Sequence, residues 1–181
     1  TNRTGLDMGT YDLVITDANG CTIGGSWTID EPTEITISES ISDFNSYGVS
    51  CFGSNDGWIS LTVTGGTPGV SPDYTYNWSN TETTQNLNNL IADVYAVTVT
   101  DDNGCTMTKS IGLSSPTPVA IAVDDVVHVD CNAAFTGLIN TTASGGVAPY
   151  SYSWTGPGVF AAATDDISGL EAGDYTLVVT D

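Results

Sequence analysis

Tyr11-Asp12-Leu13-Val14-Ile15-Thr16-Asp17-Ala18-Asn19-Gly20-Cys21-Thr22 returns as Tyr95-Ala96-Val97-Thr98-Val99-Thr100-Asp101-Asp102-Asn103-Gly104-Cys105-Thr106, and begins again at Tyr175-Thr176-Leu177-Val178-Val179-Thr180-Asp181. An internal repeat has to be read first, because it sets the unit of folding. Cys51 and Cys131 stand eighty residues apart, and so do Gly65-Gly66 and Gly145-Gly146. Tyr74-Thr75-Tyr76-Asn77-Trp78 answers to Tyr150-Ser151-Tyr152-Ser153-Trp154 at a spacing shorter by four, because the first copy carries four extra residues after its Gly-Gly. Loop lengths vary while strand motifs hold, which is how a repeated domain behaves. The 181 residues read as a window on a longer tandem array. Residues 1–32 are the closing strands of one repeat, 33–115 a complete repeat, and 116–181 a following repeat without its last strand.

Within each copy the pattern is that of β-strands. Leu13 and Ile15, Leu61 and Val63, Val97 and Val99, and Leu177 and Val179 alternate with polar neighbours, the period of a strand with one buried face. Asp17-Ala18-Asn19-Gly20 and Asp101-Asp102-Asn103-Gly104 read as hairpin turns, with Asn-Gly suited to positive φ. Pro32, Pro116 and Pro118 break the pattern and mark boundaries. Only 84–92 has any helical reading. Strands are expected near 34–40, 47–51, 58–64, 73–79, 83–88, 94–100 and 105–113. Leu6 to Tyr11 and Leu170 to Tyr175 share a leucine, a turn glycine and a tyrosine that opens a late strand, the elements of a tyrosine corner. Leu90 to Tyr95 is a copy with Asp93 in place of the glycine, so a looser corner is expected there. Tyr74, Tyr76 and Trp78 share one strand face and read as core. The fold class is therefore all-β: tandem Ig-like Greek-key β-sandwiches in an elongated array.

Composition narrows the partners. Two basic residues stand against 22 acidic ones, for a net charge of -20. Nucleic acid and anionic membrane surfaces are excluded by that balance, and no apolar run is long enough to span a bilayer. Four cysteines at repeating positions in a Thr/Ser/Gly-rich β chain point to disulfides and an extracellular setting. If the chain folds back near Pro32 and Pro118, Cys21 meets Cys51 and Cys105 meets Cys131; the rival is Cys51 with Cys105. Either closure is worth about 3 kcal/mol in the chain-entropy model.

The succession Cys51-Phe52-Gly53-Ser54-Asn55-Asp56-Gly57, Leu61 to Gly66, Tyr74 to Trp78 and Tyr95 to Cys105 resembles the SprB-type repeat of giant cell-surface gliding adhesins of Bacteroidetes. The third copy departs from it at Cys131-Asn132-Ala133-Ala134-Phe135, which lacks the Asn-Asp-Gly turn. The resemblance implies a secreted, surface-displayed polypeptide, exported by type IX secretion, used in adhesion, gliding or fibre formation, with no enzymatic activity. Its partners would be neighbouring repeats of the same chain, other copies in a fibre, or a surface or glycan ligand.

Candidate chemistry is sparse. His128 is the sole histidine and lies on the opposite strand face from Val127 and Val129, so it reads as a solvent-facing or inter-unit residue. No nucleophile elbow, zinc-protease motif or phosphate loop occurs. Calcium needs several oxygen ligands gathered on loops. The candidates are Asp101, Asp102 and Asn103 in one turn and Asp124 with Asp125 beside a joint, with further pairs at Asp17/Asn19, Asn55/Asp56 and Asp165/Asp166. The competing reading is that Asp and Asn simply build turns. Trp27 and Trp58 lie outside the core stripe and are the residues a carbohydrate-binding module would use. A self-assembling filament subunit is the alternative to an adhesive stalk.

Overall fold

A computed structural model describes residues 3–67, 74–132 and 134–181. Asp73, at the start of an expected strand, and Ala133 lie outside the described residues. The described residues form fourteen strands, all antiparallel in their pairings, and no helix. They fall into three groups, and every strand pairing lies within one group.

The first group is a hairpin, β1 (Gly9–Thr16) and β2 (Thr22–Ile29), paired from Gly9↔Ile29 to Thr16↔Thr22. The second contains β3 (Thr36–Ile41), β4 (Gly57–Thr64), β5 (Thr75–Trp78), β6 (Leu87–Leu90), β7 (Val94–Thr100) and β8 (Thr106–Gly112). These make two sheets, β3-β4-β6 and β5-β7-β8, the A-B-E and C-F-G sheets of an Ig-like sandwich. The third contains β9 (Ala120–Val127), β10 (Gly137–Ser144), β11 (Ser151–Thr155), β12 (Ala161–Ala162), β13 (Ile167–Leu170) and β14 (Thr176–Thr180). Its sheets are β13-β10-β9 and β12-β11-β14.

Alternation decides which residues meet between the sheets. Along β7, Tyr95, Val97 and Val99 are buried while Val94 and Ala96 face out. They pack with Ile35, Ile37, Ile59, Leu61, Trp78, Leu87, Leu90, Ile111 and Leu113 into one core. Trp78 sits fully buried, and its indole N–H donates to the Thr84 carbonyl at 2.8 Å. Trp154 repeats the arrangement, donating to Thr164 at 3.0 Å. The aromatic stripe is thus core, with the ring N–H satisfied as burial of a tryptophan requires.

Two expected elements differ. The strand expected near 83–88 lies a little later, as β6, and the helical reading of 84–92 is not realised, because Leu87 and Leu90 must reach the core and a Trp-binding turn at Thr84 precedes them. Residues 47–51 form a loop with a single Phe44↔Tyr47 bridge. That loop is spent on ties to neighbours: Gly48 and Val49 donate to Ser114, and buried Ser42 accepts from the Trp58 N–H while its hydroxyl donates to Gly48. The middle group therefore has six strands.

The tyrosine corner occurs three times. Tyr11, Tyr95 and Tyr175 donate to the carbonyls of Asp7, Ile91 and Glu171 at 2.9, 3.0 and 3.1 Å. The middle corner is as tight as the others despite Asp93, whose carboxylate accepts from the Val94 N–H and so stabilises the turn by a different route. Tyr95→Phe removes one part-buried hydrogen bond and keeps the ring. Its expected cost is about 1 kcal/mol, read as a shift of the denaturant midpoint at unchanged m-value.

Candidate functional site

The residues that recur in both sandwiches converge at one end of each. Gly65 and Gly66 follow β4 and take φ of 83° and 62°. The Gly66 N–H donates to the Thr33 carbonyl at 2.7 Å, so the double glycine lies against the segment that enters β3. Asp101, at the start of the β7–β8 turn, closes the arrangement from the other sheet. Its Oδ2 accepts from the Thr67 N–H at 2.8 Å, and its Oδ1 accepts from Asn103 and Cys105 at 3.0 and 2.8 Å. The third group repeats this with Gly146 donating to Thr117 and the Val147 N–H donating to Asp181. A carboxylate thus staples the two sheets at the entry end, buried in Asp101 and exposed in Asp181.

Those N–H donors, Thr67 first, hold the Asp101 carboxyl below the ordinary carboxylate range against the opposing effect of burial. A depressed folded pKa contributes stability that is present above the unfolded value of 3.8 and lost as pH falls through the lower folded value. Asp56 is lowered in the same direction, chiefly by hydrogen bonds from Ser50. Acid melts are expected to steepen below that unfolded pKa. Asp101→Asn should lower the melting temperature at neutral pH by a few degrees and flatten part of the acid limb. An acid limb identical to that of the parent would show that the staple does not titrate in this window.

The turns are built differently from the Asn-Gly hairpin expected. Thr16↔Thr22 and Thr100↔Thr106 are the last pairs, so each loop has five residues. Only Gly20 and Gly104 take positive φ, and Asp17 and Asp101 accept backbone N–H groups across the loop. Asx hydrogen bonding replaces left-handed asparagine.

The remaining calcium candidates are dispersed. Asp102 is exposed, and the Asn103 amide donates to Thr67. Asp124 and Asp125 lie inside β9, not on a loop; the register shifts beside them, and Asp124 accepts from the Thr142 hydroxyl at 2.6 Å. Asp166 accepts from the Thr141 N–H and Asp56 from the Ser50 N–H. Among the described residues no three of His, Cys, Asp and Glu gather as a metal set.

Cys21, Cys51, Cys105 and Cys131 are all exposed and free, so neither Cys21–Cys51 nor Cys105–Cys131 is bridged in this structure. The rival Cys51–Cys105 bridge meets a geometric obstacle. Cys105 sits at the Gly65–Gly66 end, beside Asp101, whereas Cys51 belongs to the loop tied to Ser114 at the other end. The eight residues of β4 lie between, about 25 Å at strand rise, against the roughly 7 Å limit for bridged Cα atoms.

His128 is exposed and stands just beyond β9. Trp58 is partly exposed at 38%. The Trp27 ring lies across Gly25, where an added Cβ would come within 2.4 Å of it, and borders an apolar recess with Leu13, Ile15 and Ile23. Those neighbours correspond to core residues of β7 and β8, so Trp27 is an uncovered core residue in form. Sequence reading missed Ser42, Thr84, Asn86 and the single lysine. Lys109 bridges β8 to β3, donating to the Ile37 carbonyl at 2.9 Å and pairing with Glu39.

Two Ig-like sandwiches in succession, each with its own pair of sheets, define a tandem repeat. The SprB repeat family model matches the chain at residues 47–83 and again at 123–159, one segment in each sandwich. No curated protein sequence matches it. Among solved structures, the three N-terminal domains of the bacteriophage RB49 Highly Immunogenic Outer Capsid protein (Hoc) are similar at 20% identity and a TM-score of 0.47. That match covers 81% of this chain and 54% of that one, so the chain spans about half the length of that structure.

Proposed function

We propose that the chain is a structural, adhesive stalk segment of a secreted cell-surface protein, and that its work is to project and to carry tension. The observation that supports this most directly is how force would pass through the middle repeat. The chain enters at Thr33, beside Gly66, and leaves at Ser114, beside Gly48, at the opposite end. Strands β3 and β8 run in the same direction between those ends and are tied across the sheets by Lys109. A pull on the chain loads them in shear along their length. The SprB matches support surface display, since the family is found in cell-surface proteins. Adhesion, gliding and type IX export are part of the proposal, as is an absence of catalysis.

Single-molecule stretching of the chain tests the mechanical reading. The middle repeat should give one discrete unfolding event that releases about eighty residues, roughly 280 Å of contour. Lys109→Ala should lower the force of that event and leave its length unchanged. Smooth extension without a peak would sink the load-bearing reading.

A further inference from the structure

The two sandwiches share an irregularity in one sheet and fill it differently. In the middle repeat Gly57 pairs with Leu90 and Ile59 with Leu87. Trp58 on β4 therefore stands opposite two residues of β6, Asn88 and Asn89, which is a β-bulge. The bulge recurs in the third repeat, where Gly137 pairs with Leu170 and Leu138 with Ser168. There the three places hold Leu138, Ser168 and Gly169. Bulges bend a strand and re-aim its side chains. The bulge itself thus belongs to the shared fold, while its occupants belong to the individual repeat.

The occupants in the middle repeat come at a cost. Gly169 takes φ of 69°, a left-handed conformation open to glycine. Asn89 is held at φ of 56° in the same place, a region that a residue with a Cβ adopts less readily. The bulge does not require asparagine, since the third repeat closes it with glycine. Backbone strain of this kind gathers at ligand-binding positions. Beside it Trp58 is 38% exposed on the outer face of the sheet. Gln85 and Asn86, just before β6, are committed to the backbone of Leu61. Asn88 and Asn89 are exposed, and among the described residues no hydrogen bond engages their amides or the Trp58 indole N–H.

The face around them carries no charge. Alternation turns Thr36 and Thr64, Ser38 and Thr62, and Ser40 and Ser60 outward in three paired rows beside Trp58. Glu39 is the sole acid on β3, β4 and β6; it lies on the inward register and pairs with Lys109. This neutral face belongs to a chain of net charge -20. A polyanion is repelled by the chain as a whole, and a cationic partner finds no carboxylate on the face to pair with. A neutral ligand with one flat apolar side and many hydroxyls fits both conditions. The indole offers a platform to the apolar side of a sugar ring and an N–H to its edge. The two amides offer donors and acceptors to its hydroxyls.

We propose that the outer face of β3-β4-β6 in the middle repeat binds a neutral polysaccharide. One sugar ring stacks on Trp58, its hydroxyls are held by Asn88 and Asn89, and the following sugars lie over the hydroxyl rows along β4. This rests on the adhesive part of the proposed function and names the class of surface that is gripped. Its failure is distinguishable from failure of the load-bearing part, which stretching reads through Lys109 on the inward side of the sheet.

The test is titration of the chain with cellohexaose, laminarihexaose and mannohexaose, followed by tryptophan emission and calorimetry. A galacturonic acid oligomer is the anionic contrast. At least one neutral hexaose should bind, and the anionic oligomer should not. Trp58→Leu, which copies the third repeat, should weaken binding by about tenfold or more while both sandwiches stay folded. Trp27→Ala should leave the affinity unchanged. Asn89→Gly should weaken binding by roughly threefold to tenfold, the worth of one hydrogen bond. It should not lower the melting temperature, since Gly169 serves in the third repeat. A residue that only shaped the bulge would show no such split between binding and stability. Binding of none of the three sugars, binding of the anionic oligomer alone, or an affinity unchanged in Trp58→Leu overturns the proposal. So does a rise in solution mass, in place of sugar binding, that Trp58→Leu abolishes, because it gives the face to a second copy.

Discussion

Trp78→Ala is expected to destabilise the middle repeat by about 3–5 kcal/mol, the usual cost of deleting a fully buried tryptophan. Three losses coincide. The indole leaves a void between the two sheets, because Trp78 is among the largest fully buried side chains and packs in the cluster with Val97, Val99 and Leu87. The Thr84 carbonyl loses its indole donor. The turn that leads into β6 loses its anchor, since that hydrogen bond ties Thr84 to the core while its hydroxyl donates to Asn86. A repeat of this size has only about 4–12 kcal/mol in total at typical stability per residue. The variant should therefore be near or beyond its unfolding midpoint at physiological temperature. Hydrogen exchange by mass spectrometry, resolved over residues 33–115, reads this directly: protection in β4 and β7 should collapse while β10 and β11 keep theirs. Trp27→Ala, at an exposed position, is the control, with a change within about 0.5 kcal/mol. Equal effects from the two would mean that the stripe is not the core.

Gly65→Ala should be of similar severity for a different reason. Nothing apolar is removed and one methyl group is added. Gly65 has φ of 83°, and a Cβ there would lie 2.0 Å from the Glu34 carbonyl oxygen. Backbone strain of about 1–3 kcal/mol adds to an overpacking cost of about 1–3 kcal/mol. The contact is with backbone, so no side chain can rotate away. Relief requires the segment entering β3 to separate from the double glycine, which breaks the Gly66–Thr33 hydrogen bond and displaces the Asp101 staple. A fall in melting temperature of more than about 10 °C is expected by calorimetry. Gly145→Ala should do the same to the third repeat, where the Pro118 carbonyl lies 2.0 Å from the added Cβ. Gly53→Ala makes the contrast. It shares the positive φ, at 79°, but has nothing within 4 Å, and should cost only the strain.

How far the sequence could be read follows from how local each cause is. Strand alternation is local, so β4, β7 and β8 were legible from Leu61, Val97 and Ile111 within a residue or two of their observed ends. The tyrosine corners were legible because donor and acceptor are four residues apart. The strand near 83–88 was legible but its bounds were not, because the conformation of this stretch answers to Trp78 and to Leu61, which lie outside it. Asn86 accepts from the Leu61 N–H and Gln85 donates to the Leu61 carbonyl. Polar residues that look weakly helical in isolation are there edge-fillers of another strand.

The acidic candidates show the same limit. Nothing in Asp101-Asp102-Asn103 distinguishes a cation ligand from a turn former, since both need oxygen atoms on a loop. The structure commits the Asp101 carboxylate to N–H groups from two loops, one of them 34 residues away. The cysteines are legible as a repeating set, while their partners depend on which ends of which units meet.

The sequence by itself determined the all-β class, the eighty-residue period and the core tryptophans, because periodicity is a sum over residues. Only the tertiary structure decided that Asp101 staples two sheets, that Leu113 packs against Gly48 and Gly57, and that Lys109 ties β8 to β3. Those are relations between segments far apart in the chain, and a local pattern carries no information about which distant surface its apolar face will meet.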